Sequence, residues 1–270
     1  MSHIESGLYQ LGRLDRLAAQ NTSVHRLDPR AKVVTTLAFL VCVVSFGKYQ
    51  VLAMLPFVIF PIALATEGDL PLGYLARKLF IVAPFAVVVG MFNPLLDRAV
   101  MVQIGSFGLS GGWISFASIL LRFALTTSAA LVLIGTTSFN GVCMALERLG
   151  APDVFATQLL FLYRYIFVLG EEAMSMARAR ALRSFGGRGM GMHVYGLMLG
   201  HLLLRTYDRA QRVYLAMLSR GFDGQIRVMR RSRPGARDVV FTLSWCAAFA
   251  VFRLYNVPLV LGQTITRVIT

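Results

Sequence analysis

The sequence predicts an all-α fold, a polytopic membrane helix bundle of about five spans with a long, basic, helical region on its cytoplasmic side. Three observations lead there. Of 270 residues, 56% are hydrophobic and 15% charged, and the mean hydropathy is +0.64, far from the ordinary soluble mixture. The apolar residues fall in runs suited to membrane helices. The charge is uneven, since residues 171–238 hold 13 Arg against five acids and carry +8 of the net +14. Basic residues gather on the cytoplasmic side of membrane proteins, which places this block near anionic lipid or an acidic partner. Nucleic acid is the weaker reading, because Arg227, Arg230, Arg231, Arg233 and Arg237 directly precede an apolar span and suit a juxtamembrane anchor.

Residues 1–26 are too polar for a signal peptide. Leu8, Leu11, Leu14, Leu17 and Ala18 share one helical face, either an amphipathic segment on the inner membrane surface or a terminus with incidental leucines. In Leu27-Asp28-Pro29-Arg30, Asp28 can cap free amides and Pro29 suits the first helical position, so a helix starts there. The first span follows at 31–46. The second, 49–65, is interrupted by Pro56 and Pro61; the third, 79–96, contains Pro84 and Pro94 and starts inside, after Arg77 and Lys78. Residues 97–112, with Gly105, Gly108, Gly111 and Gly112, read as a flexible loop. The fourth span, 113–138, contains Arg122, at a cost of about 2.5–3.5 kcal/mol near mid-membrane, so its guanidinium faces the bundle interior or snorkels. A structural anchor and a functional role both fit it.

A short amphipathic helix covers 139–150, and 153–170, broken by Tyr163-Arg164-Tyr165, reads as a helix that starts at the membrane and leaves it. A second basic-arm helix, 195–220, sets Leu203, Tyr207, Ala210, Tyr214 and Met217 at alternating steps of four and three, a helix-packing seam. Arg205, Arg209 and Arg212 form a separate stripe. A last span covers 239–254, with a possible extension over 257–262. Five spans put the N-terminus inside and the C-terminus outside; four or six fit the same pattern. The domain organisation is then 1–138 as an N-terminal membrane region with its amphipathic arm, 139–236 as the cytoplasmic helical region, and 237–270 as a C-terminal membrane region.

The chemistry that is missing narrows the function. There is no G-x-x-x-x-G-K-[ST] loop for ATP, no paired-aspartate set for a divalent metal, and no nucleophile with a base. His3, His25, His193 and His201 are scattered, and Cys42, Cys143 and Cys246 form neither a disulfide nor a metal pattern. Two helical runs close on arginine, a small residue, phenylalanine and glycine: Ala177 to Gly187, and Ala216 to Gly224, where Gly186 and Gly221 can supply the left-handed turn that ends each helix. A fork of donors at a helix end can bond several carboxylates or carbonyls in a groove, so the region reads as a docking arm for another protein.

The ordered set Leu27-Asp28-Pro29-Arg30, Leu121-Arg122, Thr136-Thr137, Ala145-Leu146, Leu149, Tyr163-Arg164-Tyr165, Glu171-Glu172 and the two arginine motifs resembles the transmembrane T component of energy-coupling factor (ECF) ABC transporters, cobalt and nickel branch. The resemblance implies a non-catalytic subunit in the bacterial inner membrane that binds no cofactor itself. Its expected partners are the lipid bilayer, two cytosolic ABC-type ATPases holding ATP and Mg2+, and a separate membrane protein that captures substrate. It also implies two cytoplasmic coupling helices whose Ala-Arg-Gly-type tips sit in ATPase grooves. Those tips map to Ala179-Arg180-Ala181 and Ser219-Arg220-Gly221, with Arg178 and Arg183 beside the first. Ala181 and Ser219 depart from the family pattern. The implied function is ATP-driven uptake of cobalt or nickel. The alternatives are a self-contained carrier of an anionic substrate using Arg122, and a membrane enzyme acting on lipid phosphates.

Overall fold

The structure is a computed structural model that describes Gly12, Asp15, 17–96, 100–104, 107–183, 191–224 and 235–254. It divides into two compact units, one of residues 17–138 with 232–270, the other of 1–16 with 139–231. The expected N-terminal amphipathic face, the 225–234 basic run and the 257–262 extension lie largely or wholly outside the described residues.

In the first unit, α1 (Pro29–Val44) starts as its sequence dictates. Asp28 accepts from the Arg30 amide at 2.9 Å, and Pro29 needs no partner at the first position. The expected second span is broken into α2 (Val51–Met54), a 3-10 turn (Leu55–Val58) and α3 (Ile59–Glu67). Pro56 stands in the turn, where its missing N–H removes a helical bond and the chain tightens to compensate. α4 (Leu72–Leu96) and α5 (Gly111–Thr137) pair along their length. α9 (Ala236–Leu254) closes the unit.

Residues 97–112 were expected as a flexible loop. Instead β1 (Val100–Ile104) and β2 (Phe107–Ser110) pair antiparallel, and Gly111 and Gly112 open α5. The run Val100, Met101, Val102, Ile104 is strand-forming, and that propensity outweighs the glycines.

The core of this unit is aromatic. Phe39 of α1 stacks on Phe60 at 4.8 Å and leans on Phe249 of α9 at 5.5 Å; Phe57 meets Phe46, Phe249 and Phe252 within 5.9 Å, and Trp245 caps Phe60 at 5.0 Å. Each such pair adds about 0.5–1.5 kcal/mol beyond its buried area. By contrast α4 leaves Phe80 81% and Phe85 72% exposed, an apolar face suited to lipid. α4, α5 and α7 are long and apolar enough to cross a bilayer. At 16 residues α1 spans about 24 Å against a hydrocarbon core of about 30 Å.

The second unit holds α6 (Phe139–Arg148), α7 (Asp153–Arg183) and α8 (Met192–Leu218). The α6 end is closed by a 6→1 bond, Ala151 N–H to Leu146 O at 3.0 Å, over Gly150 at φ 110°. Phe139 stacks on Tyr163 at 4.5 Å, and the Tyr163 hydroxyl donates to Asp15 at 2.6 Å. Thus Tyr163-Arg164-Tyr165 lies inside one continuous 31-residue helix.

α4 and α5 come close because Gly90 has no side chain: a Cβ there would meet Phe116 Cδ2 at 2.8 Å. Gly90→Leu is expected to destabilise the protein by about 1–3 kcal/mol, seen as a lowered melting temperature in detergent. Gly73→Ala, where a Cβ meets nothing within 4 Å, should leave the melting temperature at or above the wild-type value.

Candidate functional site

The two arginine motifs occupy the ends of α7 and α8. Ala179, Arg180 and Ala181 lie in the last two turns of α7 with Arg178 and Arg183, and all five are exposed. Ser219 caps α8, its hydroxyl donating to Leu215 O at 2.9 Å. Gly221, at φ 77°, adopts the left-handed turn expected of it, and Phe222 N–H closes the helix on Met217 O at 3.0 Å. Phe222, half-buried, lines the same groove as Met217 and Tyr214, and Arg220 is exposed at the tip. The sequence Ser-Arg-Gly-Phe therefore has a local logic: glycine makes the turn, phenylalanine anchors it, and arginine projects. Among the described residues neither Arg180 nor Arg220 makes an ion pair. Gly186, expected to turn the first motif in the same way, lies outside the described residues.

The Leu203, Tyr207, Ala210, Tyr214 and Met217 face was expected as a helix-packing seam. These residues line an open apolar groove together with Phe161, Tyr165 and Leu169 of α7, and Leu203 and Tyr207 remain 70% and 62% exposed. A regular period identifies residues that share a face; it does not say what covers them. What joins α7 to α8 is Glu172, whose two carboxylate oxygens take Arg205 at 3.0 Å and Arg209 at 3.4 Å. The 205/209 spacing, one helical turn, was the available signal for a shared acidic partner. Both pairs are largely exposed and worth at most about 1 kcal/mol each. His193 and His201 are exposed, and no group of metal-ligating side chains occurs among the described residues.

Arg122 donates to Phe46 O at 2.9 Å, just past the end of α1. Arg253 of α9 reaches the neighbouring Ser45 O at 3.2 Å and covers the Phe46 ring at 4.4 Å. Two cations thus bind the carbonyl pole of one helix.

A second polar cluster had no counterpart in the sequence reading. Lys32, 3% exposed, donates from Nζ to Thr136 O at 2.9 Å, at the end of α5. Asp238, 9% exposed, accepts from the amides of Asp28 and Gly235, each at 2.8 Å, so one carboxylate ties the starts of α1 and α9. The carboxylates of Asp238 and Asp28 both act on the Lys32 charge. His25 bonds Thr22 Oγ1 through Nδ1 at 2.7 Å. Burial, and then the Lys32 charge, hold its imidazole below the usual histidine range, against weaker opposing effects of nearby backbone carbonyls and Asp69.

These features define a class: a multi-pass helical membrane protein with no catalytic or metal constellation among its described residues, and with two long helices that end in exposed arginines. Residues 20–230 match the family model for CbiQ, cobalt transport protein. The chain belongs to that family, the T components of the cobalt and nickel branch of ECF transporters. It is 30% identical to an uncharacterised protein of Methanocaldococcus jannaschii over 86% of this chain and 82% of that one. It is 27% identical to the energy-coupling factor transporter transmembrane protein EcfT of Heliobacterium modesticaldum over 87% and 94%. It is 30% identical to the nickel permease LarQ of Lactiplantibacillus plantarum over 44% and 45%.

Two outcomes follow from this geometry. Gly221→Val should fray the end of α8, since a β-branched residue in the left-handed turn costs about 1–2 kcal/mol, and amide exchange at Arg220 to Phe222 should quicken. For His25, the unfolded chain takes up a proton near pH 6.5 while the folded protein resists it. Stability is therefore full above that pH and is lost as pH falls below it. The melting temperature should drop between about pH 7.5 and about pH 5.5, and this part of the slope should vanish in His25→Asn.

Proposed function

We propose that this chain transmits ATP-driven motion from two cytosolic ABC-type ATPases to a separate substrate-capturing membrane protein, in the uptake of cobalt or nickel. The observation that carries the reading is Arg220, exposed at the tip of α8 on a turn built by Gly221 and anchored by Phe222. Arg180, exposed at the end of α7, is its counterpart. An arginine fork can make several charge-assisted bonds to carboxylates or carbonyls in a groove, which a lysine cannot match. ATP and Mg2+ belong to the partners, and the names of the relatives support cobalt or nickel as cargo.

The bond from Arg122 to Phe46 O favours this reading over a self-contained carrier, because that guanidinium already serves the end of α1. Glu172, by holding Arg205 and Arg209, would transmit movement of one coupling helix to the other.

The test is purification of the complex through a tag on this chain. Arg180→Glu combined with Arg220→Glu should remove the ATPases from the purified complex and abolish metal uptake by cells, while single changes at Arg178 and Arg183 should have smaller effects. ATPase recovery at wild-type yield together with normal uptake in the double variant would overturn the assignment.

A further inference from the structure

α5 ends at Thr137, and the chain passes through Ser138, at φ 64°, into α6. Ser138 closes one compact unit and Phe139 opens the other, so the last turn of α5 adjoins one of the three places, with 16/17 and 231/232, where the backbone passes from one unit to the other. That turn is held with unusual definition. The Thr136 hydroxyl is bonded back to Val132 O at 2.9 Å, and its carbonyl, an orphan of the helix end, takes the Lys32 ammonium at 2.9 Å. On its other side, a Cβ at Gly68 would meet Thr136 Cγ2 at 3.1 Å, and one at Gly135 would meet Leu70 Cδ1 at 3.2 Å. The turn after α3 is therefore closely fitted to the same spot.

The charges obey one pattern. The Lys32 cation lies at the carbonyl pole of α5, and the Asp28 and Asp238 carboxylates lie at the amide poles of α1 and α9. Apolar contacts survive sliding by an ångström or two. This arrangement does not, because separating any of the three helix ends leaves a buried charge without its partner. We infer that Lys32 is a positioning residue for energy coupling: with Asp238 it fixes the end of α5, so that movement of the 139–231 unit reaches the membrane helices undiminished. This inference rests on the proposed function.

The experiment uses the complex purified from cells through a tag on this chain and reconstituted in vesicles. ATP hydrolysis and Co2+ accumulation are measured on the same preparation for wild type, Lys32→Met and Lys32→Arg. Lys32→Met should retain the ATPases and hydrolyse ATP while Co2+ accumulated per ATP falls about tenfold. Lys32→Arg, which still reaches a carbonyl, should recover most of that loss. A purely structural role would lower the yield of complex and leave Co2+ per ATP unchanged, and that result overturns the inference. If the wild-type complex lacks ATPases, the proposed function itself fails. A second measurement stands apart from partners: in the purified full chain, amides of residues 137–148 should exchange about tenfold faster in Lys32→Met with α4 unaffected. Unchanged exchange would likewise overturn the assignment.

Discussion

A lysine buried to 3% exposure keeps its charge only where that charge is matched, and Lys32 is matched by three helix ends at once. Its partners come from the first turn of α1, the first turn of α9 and the last turn of α5. The net gain in stability from such a cluster is small, because desolvation offsets most of the attraction, and a well-packed apolar substitute often does as well. What the cluster supplies is definition. An aromatic core built from Phe39, Phe57, Phe60 and Phe249 would accommodate several helix registers, whereas the three termini have one arrangement that leaves no charge orphaned.

The other unit is built on the opposite plan. No residue of α8 is buried, and Ala156 alone is buried in α7. Among the described residues the ion pairs between the two helices run through Glu172, and the helices present aromatic and aliphatic side chains along an open groove. Helices of 31 and 27 residues with so little internal burial draw their stability from surroundings outside their own unit.

Local features were legible in the sequence, and distant pairings were not. Asp28-Pro29 marked the start of α1, and Gly221 marked the left-handed turn after α8, because each follows from the dihedral freedom or hydrogen-bonding capacity of one residue. Pro56 marked a disturbance in 49–65, although the 3-10 geometry depends on how the neighbouring turns repair it. The Lys32 bond to Thr136 joins residues 104 apart, and Asp238 reaches 210 residues back to Asp28. No spacing rule predicts such pairs. The β-hairpin was missed by weighting Gly105 and Gly108 above the strand-forming run before them. The Leu203 face is legible as one side of α8, and the structure sets it along an open groove with Phe161, Tyr165 and Leu169 of α7; periodicity contains no information about the opposite surface.

Three cations follow one rule that bears on mechanism, Lys32 buried, Arg122 half-buried and Arg253 exposed. α1 is pinned at both ends: its amide end by Asp28, Asp238 and Lys32, its carbonyl end by Arg122 from α5 and Arg253 from α9. These bonds make α1 antiparallel to α5 and parallel to α9, and they link the three helices at two levels. Lys32, Arg122 and Arg253 each spend their charge on a carbonyl at the negative pole of a helix. A carrier of anionic substrate needs a cation held toward a cavity, free to exchange its partner during the cycle. Here the corresponding groups fasten helices to one another, which supports the proposed coupling role over the carrier reading.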